Sequence, residues 1–291
     1  MNRSIFVQSM GILALTPMAM KLKELKKITD AFEETTLLPV LFAGHGNPMN
    51  AILDNSFTKG WANSVKDLQT PKAILCISAH WETKGTFVTA MEKPKTIHDF
   101  YGFPKALFDL QYPSPGSPDY AKEVTEVVKK TTVKLDYDWG LDHGTWSVLV
   151  KMYPKADIPV FQMSLDYSQS AQYHYDLAKE LSGLRKKGVL IVGSGNIVHN
   201  LRMADLSDKA QPYDWAIEFD ATAKKLIDSG DHQKLIDYKK LGNSALLSIP
   251  SPEHYLPLLY VLALKEKDEK VSYFNEEIAF RSGSMRSVKI G

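Results

Sequence analysis

The stretch that most constrains the fold is the apolar run Leu37–Phe42, which stops at Gly44-His45-Gly46-Asn47-Pro48. An apolar segment of this length, bounded by glycine and proline, reads as a buried central strand that ends abruptly in a loop. In open α/β sheets, ligands collect at the carboxyl ends of strands. His45 therefore stands where chemistry is usually placed, between glycines that let another group approach the backbone.

The rest of the chain repeats the theme. Lys21–Glu34 has Leu22, Leu25, Ile28 and Phe32 at helical spacing, and Phe57–Leu68 has Phe57, Trp61, Val65 and Leu68. Ala73–Ser78 is a second buried strand that runs into Ala79-His80-Trp81-Glu82, and Thr86–Met91 is a third. Pro118 opens a helix through Lys130. A short strand Val133–Leu135, a helix Ser147–Tyr153, a strand Pro159–Ser164 and a helix Ser170–Leu184 follow. Gly188–Val192 and Ala245–Ile249 read as strands, and Asp214–Ser229 and Leu256–Leu264 as helices. Val271–Phe274 and Met285–Lys289 close the chain. The alternation predicts a single α/β domain whose largely parallel central sheet is flanked by helices, with antiparallel closing strands.

Hydrophobic residues make up 44% of the 291, enough for a substantial core, and the net charge is +1 with both signs interspersed. Neither a nucleic-acid groove nor an anionic membrane patch is indicated, and nothing specifies an oligomeric state. The single cysteine, Cys76, lies inside an apolar run and reads as a buried strand residue. Residues 1–37 read as an amino-terminal extension: a weakly signal-like segment followed by the first helix. It carries one arginine near its start and no clean small-residue cleavage site. The expectation is a cytoplasmic protein, with export through this weak signal as the alternative.

Of the eight histidines, His45, His80, His143, His199 and His254 sit in loops rich in glycine, proline, serine or aromatic residues. All but His143 directly follow strand-like runs. In a parallel sheet such strand ends converge on one rim. Imidazole is the commonest metal ligand and titrates near neutrality, so the pattern predicts a metal with a general base beside it. The spacing is neither a zinc finger nor H-E-x-x-H, so the ligands come from distant parts of the chain. His98 lies in the aromatic loop Thr96–Pro104, either on a pocket wall with Asp99 or packed within the loop. His174 and His232 have polar neighbours and read as surface residues. Gly193-Ser194-Gly195-Asn196 lacks nucleophile-elbow spacing, and its glycines read as allowing close packing beside His199.

Six motifs occur in order: PVLFAGHGNPMNAI, ISAHWET, TIHDFYGFP, GLDHGTWSVL, GSGNIVHNL and SPEHYLPLLYVLAL. Together they resemble the class III extradiol ring-cleavage dioxygenases, most closely the bacterial and plant 4,5-DOPA dioxygenase branch, over residues 38–291. The resemblance implies a non-haem metal held by His45, His80 and His254, Fe(II) for turnover, with Zn(II) as an occupant that such imidazole sites also favour. It implies His199 as catalytic acid/base and His143 beside the oxygen or substrate, against a structural role for His143 in its loop. His98 or Asp99, if on the pocket wall, would meet the polar tail of the substrate, which makes His98 a candidate substrate contact. A related branch uses a carboxylate as third ligand, so Glu253 competes with the adjacent His254. The implied reaction is opening of a catechol ring by O2. A zinc-dependent hydrolase or amidase on the same scaffold, and a non-catalytic metal-binding protein, are the competing readings.

Overall fold

A computed structural model describes residues 36–205, 207 and 211–291. The extension helix expected at Lys21–Glu34 lies outside them. Among the described residues the strands are β1 (Val40–Gly44), β2 (Ala73–Thr83), β3 (Thr86–Thr89), β4 (Val133–Asp136), β5 (Val160–Asp166), β6 (Val189–Gly195), β7 (Val271–Phe274), β8 (Ile278–Ala279), β9 (Gly283–Ser284) and β10 (Ser287–Ile290). The larger sheet has the order β4-β3-β5-β2-β6-β1-β10-β7. Its centre, β5-β2-β6-β1, is parallel throughout. As expected, the closing strands β10 and β7 pair antiparallel. On the other side β3 turns back antiparallel to β5. The chain reverses at Lys84–Gly85, between β2 and β3, which are separated in the sheet by β5, a feature the alternating pattern did not separate from a crossover.

The central strands are buried on both faces, which is why they read as unbroken apolar runs. Their side chains still alternate. Val40, Phe42, Leu75, Ile77, Val189 and Ile191 enter one core, and Leu41, Ala43, Ile74, Cys76, Leu190 and Val192 enter the other. The second core is closed by α1 (Ser56–Val65), through Trp61 and Val65, and by a helix His143–Met152 through Trp146 and Leu149. The first core is closed by helices Pro118–Val127, Ala171–Lys179, Asp214–Ser229 and Leu256–Ala263. Counting helices along the chain, with Lys105–Asp109 as α2, these are α3 (Pro118–Val127), α4 (His143–Met152), α5 (Ala171–Lys179), α6 (Ser182–Lys186), α7 (Asp214–Ser229), α8 (His232–Ile236), α9 (Asn243–Ser248) and α10 (Leu256–Ala263). Among the described residues no helix is long and apolar enough to cross a membrane.

Three sequence expectations are corrected. Ala245–Ile249 is not a strand: Asn243–Ser248 forms α9, because an apolar run of five residues carries no period that separates helix from strand. Ser170–Leu184 is two helices, α5 and α6, broken at Glu180–Leu181. His174 and His232 are not solvated surface residues. His174 is fully buried, and His232 is partly buried with its Nδ1 2.8 Å from the Tyr175 hydroxyl.

His174 has a defined proton. Its Nε2 lies 3.2 Å from the Asp166 carbonyl oxygen, which can only accept, so Nε2 carries the hydrogen. Nδ1 then accepts from the Tyr260 hydroxyl at 3.0 Å. Burial, partly offset by Asp166, pulls its pKa down to about 4. The unfolded imidazole titrates near 6.5. The stability this histidine contributes is therefore complete above pH ~6.5 and is lost as pH falls towards 4. His174→Gln keeps one donor and one acceptor but cannot titrate. In urea unfolding, the wild type should lose about 2 kcal/mol more than this variant between pH 7 and pH 5. Equal losses would show that His174 titrates normally.

Candidate metal centre

Five histidines meet at the carboxyl rim of the parallel strands. His45 follows β1, and its N–H donates to the Gly195 carbonyl at the end of β6. His80 lies within β2 rather than after it, in a stretch where the pairing register with β5 shifts between Ile77 and Glu82. Such irregularities re-aim side chains at sheet rims, and here the imidazole is turned towards His45. His199 follows β6; its N–H donates to Ser248 O at 2.9 Å, and it bridges to Gly283. His254 precedes α10. Its carbonyl accepts from Asn196 N at 2.8 Å, tying the segment to the end of β6.

His143 is not in a loop but is the first residue of α4, after Asp142 as N-cap. The fully buried Asp142 carboxylate accepts from Thr145 N, Ser78 Oγ and Gln162 Nε2 at 3.1, 2.7 and 2.7 Å. One capping residue thus bolts the helix start to β2 and β5.

The ring nitrogens of His45, His80 and His254 lie within 4.8 Å of one another, and the Nε2 atoms of His45 and His80 are 3.4 Å apart. The proton positions of His45 and His254 follow from their partners. Ser194 Oγ donates its single hydrogen to Gly144 O at 2.5 Å. It can therefore only accept from His45 Nδ1, 2.9 Å away. His45 thus holds its proton on Nδ1 and presents a bare Nε2. His254 Nδ1 lies 3.1 Å from Glu253 Oε1, an acceptor, which leaves its Nε2 bare as well. Burial first, and the neighbouring imidazoles second, hold the pKa values of all three well down. The bare Nε2 atoms of His45 and His254, with His80 Nε2 3.4 Å from that of His45, suit a divalent cation.

Two other donor groups, His80–Asp99–His143 and His199–Glu253–His254, are equally compact. In both, a carboxylate oxygen lies close to a ring Nδ1: Asp99 Oδ2 is 2.9 Å from His143 Nδ1, a contact that is not a well-directed hydrogen bond, and Glu253 Oε1 is placed as above. Glu253, which also accepts from Ser251 Oγ at 2.9 Å, therefore orients His254.

His199 stacks on His254 with ring centroids 3.4 Å apart and planes 10° from parallel. Burial lowers its pKa to about 4, so it is an uncharged base at neutral pH. A cavity of about 400 Å³ opens above these rings. Phe100, Phe103, Phe280, Leu201 and Met285 make its walls apolar, with Asp99, His143 and His199 as polar flanks. His98 is not on this wall. Its Nε2 donates to Leu110 O at 2.9 Å, and its ring packs against Phe100 and Trp146, clipping the Thr96–Pro104 loop in place. Sequence reasoning missed Ser194, Asp142 and the orienting role of Glu253. The Asp-x-x-Thr cap signal at Asp142 was present; a tautomer set by a distant serine leaves no local signal.

Residues 39–285 match the family model of the catalytic LigB subunit of aromatic ring-opening dioxygenase. A 4,5-DOPA dioxygenase extradiol of Escherichia coli K12 is 46% identical over 268 residues, covering 91% of this chain and 98% of the relative. One from Mirabilis jalapa is 36% identical over 245 residues, covering 82% and 91%. A crystal structure of an uncharacterized protein from Escherichia coli K12 superposes with a TM-score of 0.77 at 42% identity, over 87% of this chain and 100% of that one. The chain belongs to the class III extradiol ring-cleavage dioxygenases.

The rim tolerates no added bulk. A Cβ at Gly195 would stand 2.1 Å from the His254 carbonyl oxygen, a backbone atom that cannot yield without moving the histidine. Gly195→Ala should cost about 1–3 kcal/mol by overpacking, read as a lower urea midpoint, together with weaker zinc binding. A variant with wild-type stability and zinc affinity would show that this contact does not position His254.

Proposed function

We propose that the chain opens the ring of a catechol, with L-DOPA as the first candidate, by O2-dependent extradiol cleavage at a divalent metal held by His45, His80 and His254. Fe(II) is the turnover metal in this reading, and Zn(II) suits the same donors and binds more tightly in the divalent affinity series. The observation that carries the proposal is the convergence of ring nitrogens from His45, His80 and His254 at the floor of an aromatic-walled cavity, with a neutral base stacked beside them. When bound, the metal supplies a Lewis acid that favours the ionised catechol and brings both reactants together.

The chain's own groups do the rest. His199 enters uncharged because it is buried, and can take a proton from a catechol hydroxyl at neutral pH. The negative charge left on the substrate then favours the imidazolium, so the same proton can be returned as the ring opens. His143, on the opposite flank, has a ring edge free to hydrogen-bond to a substrate oxygen. Phe100, Phe103 and Phe280 present apolar surface to the substrate ring and keep bulk water from the reacting centre. The carbon–carbon bond beside the diol breaks, and both oxygen atoms of O2 end in the product.

The test is anaerobic loading with Fe(II), followed by L-DOPA in aerated buffer. One O2 consumed per catechol, with a visible-absorbing ring-opened product, is the expected result. With iron verified in the site, no uptake across a panel of catechols would refute the proposal. His199→Gln should retain the metal and lose about 10²–10⁴-fold in kcat, whereas His80→Ala should fail to hold stoichiometric metal.

A further inference from the structure

Asp99 is placed to act on two histidines at once. It follows His98 in the Thr96–Pro104 loop, whose position is fixed by the His98–Leu110 hydrogen bond and by Trp146 Nε1 donating to Ile97 O at 2.7 Å. Its Oδ1 accepts the backbone N–H of His143 at 2.9 Å. Its Oδ2 lies 2.9 Å from His143 Nδ1 and 3.7 Å from His80 Nδ1. The rings of His80 and His143 are 3.8 Å apart between centroids. One carboxylate thus faces the Nδ1 edges of a metal-site imidazole and a cavity-wall imidazole, and is anchored to the start of α4 by its other oxygen.

We propose that Asp99 is a positioning residue that holds both His80 and His143 with the proton on Nδ1, leaving Nε2 of His80 bare towards His45 and His254 and Nε2 of His143 bare towards the cavity. The inference rests on the cavity being the ring-cleavage site, and it adds a carboxylate that links metal retention to the flank opposite His199. An oxygen atom at each position of the carboxylate is required. The backbone N–H of His143 needs an acceptor at Oδ1, and a protonated Nδ1 needs one at Oδ2. At His80 the distance exceeds hydrogen-bond range, and at His143 the 2.9 Å contact is not a well-directed hydrogen bond, so the influence on both rings is the attraction of a carboxylate for the N–H edge. Outer carboxylates of this kind fix ring orientation, and their loss typically costs 10–100-fold in metal affinity.

Asp99→Asn separates this role from bulk. The amide has the same shape but only one acceptor. If its oxygen keeps the His143 N–H, its NH2 group faces Nδ1 and draws the lone pair there, moving the proton to Nε2. In zinc-loaded protein labelled with 15N-histidine, two-bond proton–nitrogen correlations report the tautomer, and His143→Gln assigns the His143 signal. The wild type should show Nδ1–H and the variant Nε2–H. Zinc affinity, by chelator competition, should fall about 10-fold in Asp99→Asn and stay within threefold of wild type in His143→Gln. With iron and a catechol, kcat should fall at least ~100-fold, as when an orienting carboxylate is replaced by an amide elsewhere, with KM within threefold. Asp99→Ala, read for zinc affinity alone, repeats the test with a side chain too short to disturb its neighbours. An unchanged His143 tautomer, or zinc affinity within twofold of wild type in both Asp99 variants, overturns the proposal. Absence of turnover in the wild type would count against ring cleavage, while the tautomer and zinc measurements would still decide the role of Asp99.

Discussion

The site depends on a single hydrogen atom. The hydroxyl of Ser194 has only one, and Gly144 O takes it. The lone pairs that remain can do nothing at His45 Nδ1 except accept. That assignment converts a serine in β6 into the residue that decides which nitrogen of a strand-end histidine faces the cavity. It also joins the three pieces that form the rim: Ser194 from β6, His45 from the end of β1, and Gly144 from the first turn of α4. A Cβ on Gly144 would meet Ser194's neighbour across the rim, Ser78 Oγ, at 2.4 Å and His80 Cδ2 at 2.8 Å. The close approach that lets the carbonyl reach Ser194 is therefore the same approach that seats His80.

The electrostatics follow from that geometry. Several imidazoles packed within a few ångströms, mostly buried, cannot all carry protons at neutral pH: each charged ring would be desolvated and repelled by the others. Burial disfavours the charged forms of His45, His80, His199 and His254, and oxygen acceptors outside direct the lone pairs of His45 and His254 inwards. Ser194 and Glu253 contribute neutral and anionic acceptors, respectively. Asp99 adds a second anion, on the side of His80 and His143. Burial opposes its ionisation, but the contacts with these two histidines outweigh burial and hold its carboxyl below the usual range. A ring of donors facing a common point, with acceptors behind, is the arrangement that a cation completes.

How much of this was legible in the sequence depended on whether the signal was local. β1, β2, β5 and β6 are buried on both faces, so their apolar runs stood out, and the closing pair β7 and β10 was read with the right antiparallel sense. The same signal misled at Ala245–Ile249, where a short apolar run lies mostly in a six-residue helix that buries Ala245 and Ser248 but exposes Leu246. His45, His80, His143, His199 and His254 could be singled out because loop glycines and prolines flank each of them or lie nearby. His98 stood in equally aromatic company, yet its ring is spent on a carbonyl and on packing. His174 has polar sequence neighbours but points from α5 into the core, where Tyr260 and the Asp166 carbonyl satisfy it. Polarity of the neighbours in sequence says little about a helical residue, because only positions three and four away share its face.

The carboxylates show the limit most clearly. From sequence, Glu253 and His254 were equivalent candidates for one ligand position, since adjacent residues differ by a direction that only the backbone determines. In the folded chain the His254 carbonyl is held by Asn196 N, and the Glu253 carboxylate folds back onto the ring of its own neighbour. A residue pair that offered a choice of donor becomes an imidazole with a carboxylate against its Nδ1. The same holds at Asp99 and His143, 44 positions apart. In each case a carboxylate lies behind an imidazole, at its Nδ1, and leaves Nε2 to the chemistry. The carboxylate-bearing residue of each pair was visible in the motifs; its function became readable only when the fold set the distance to a particular ring nitrogen.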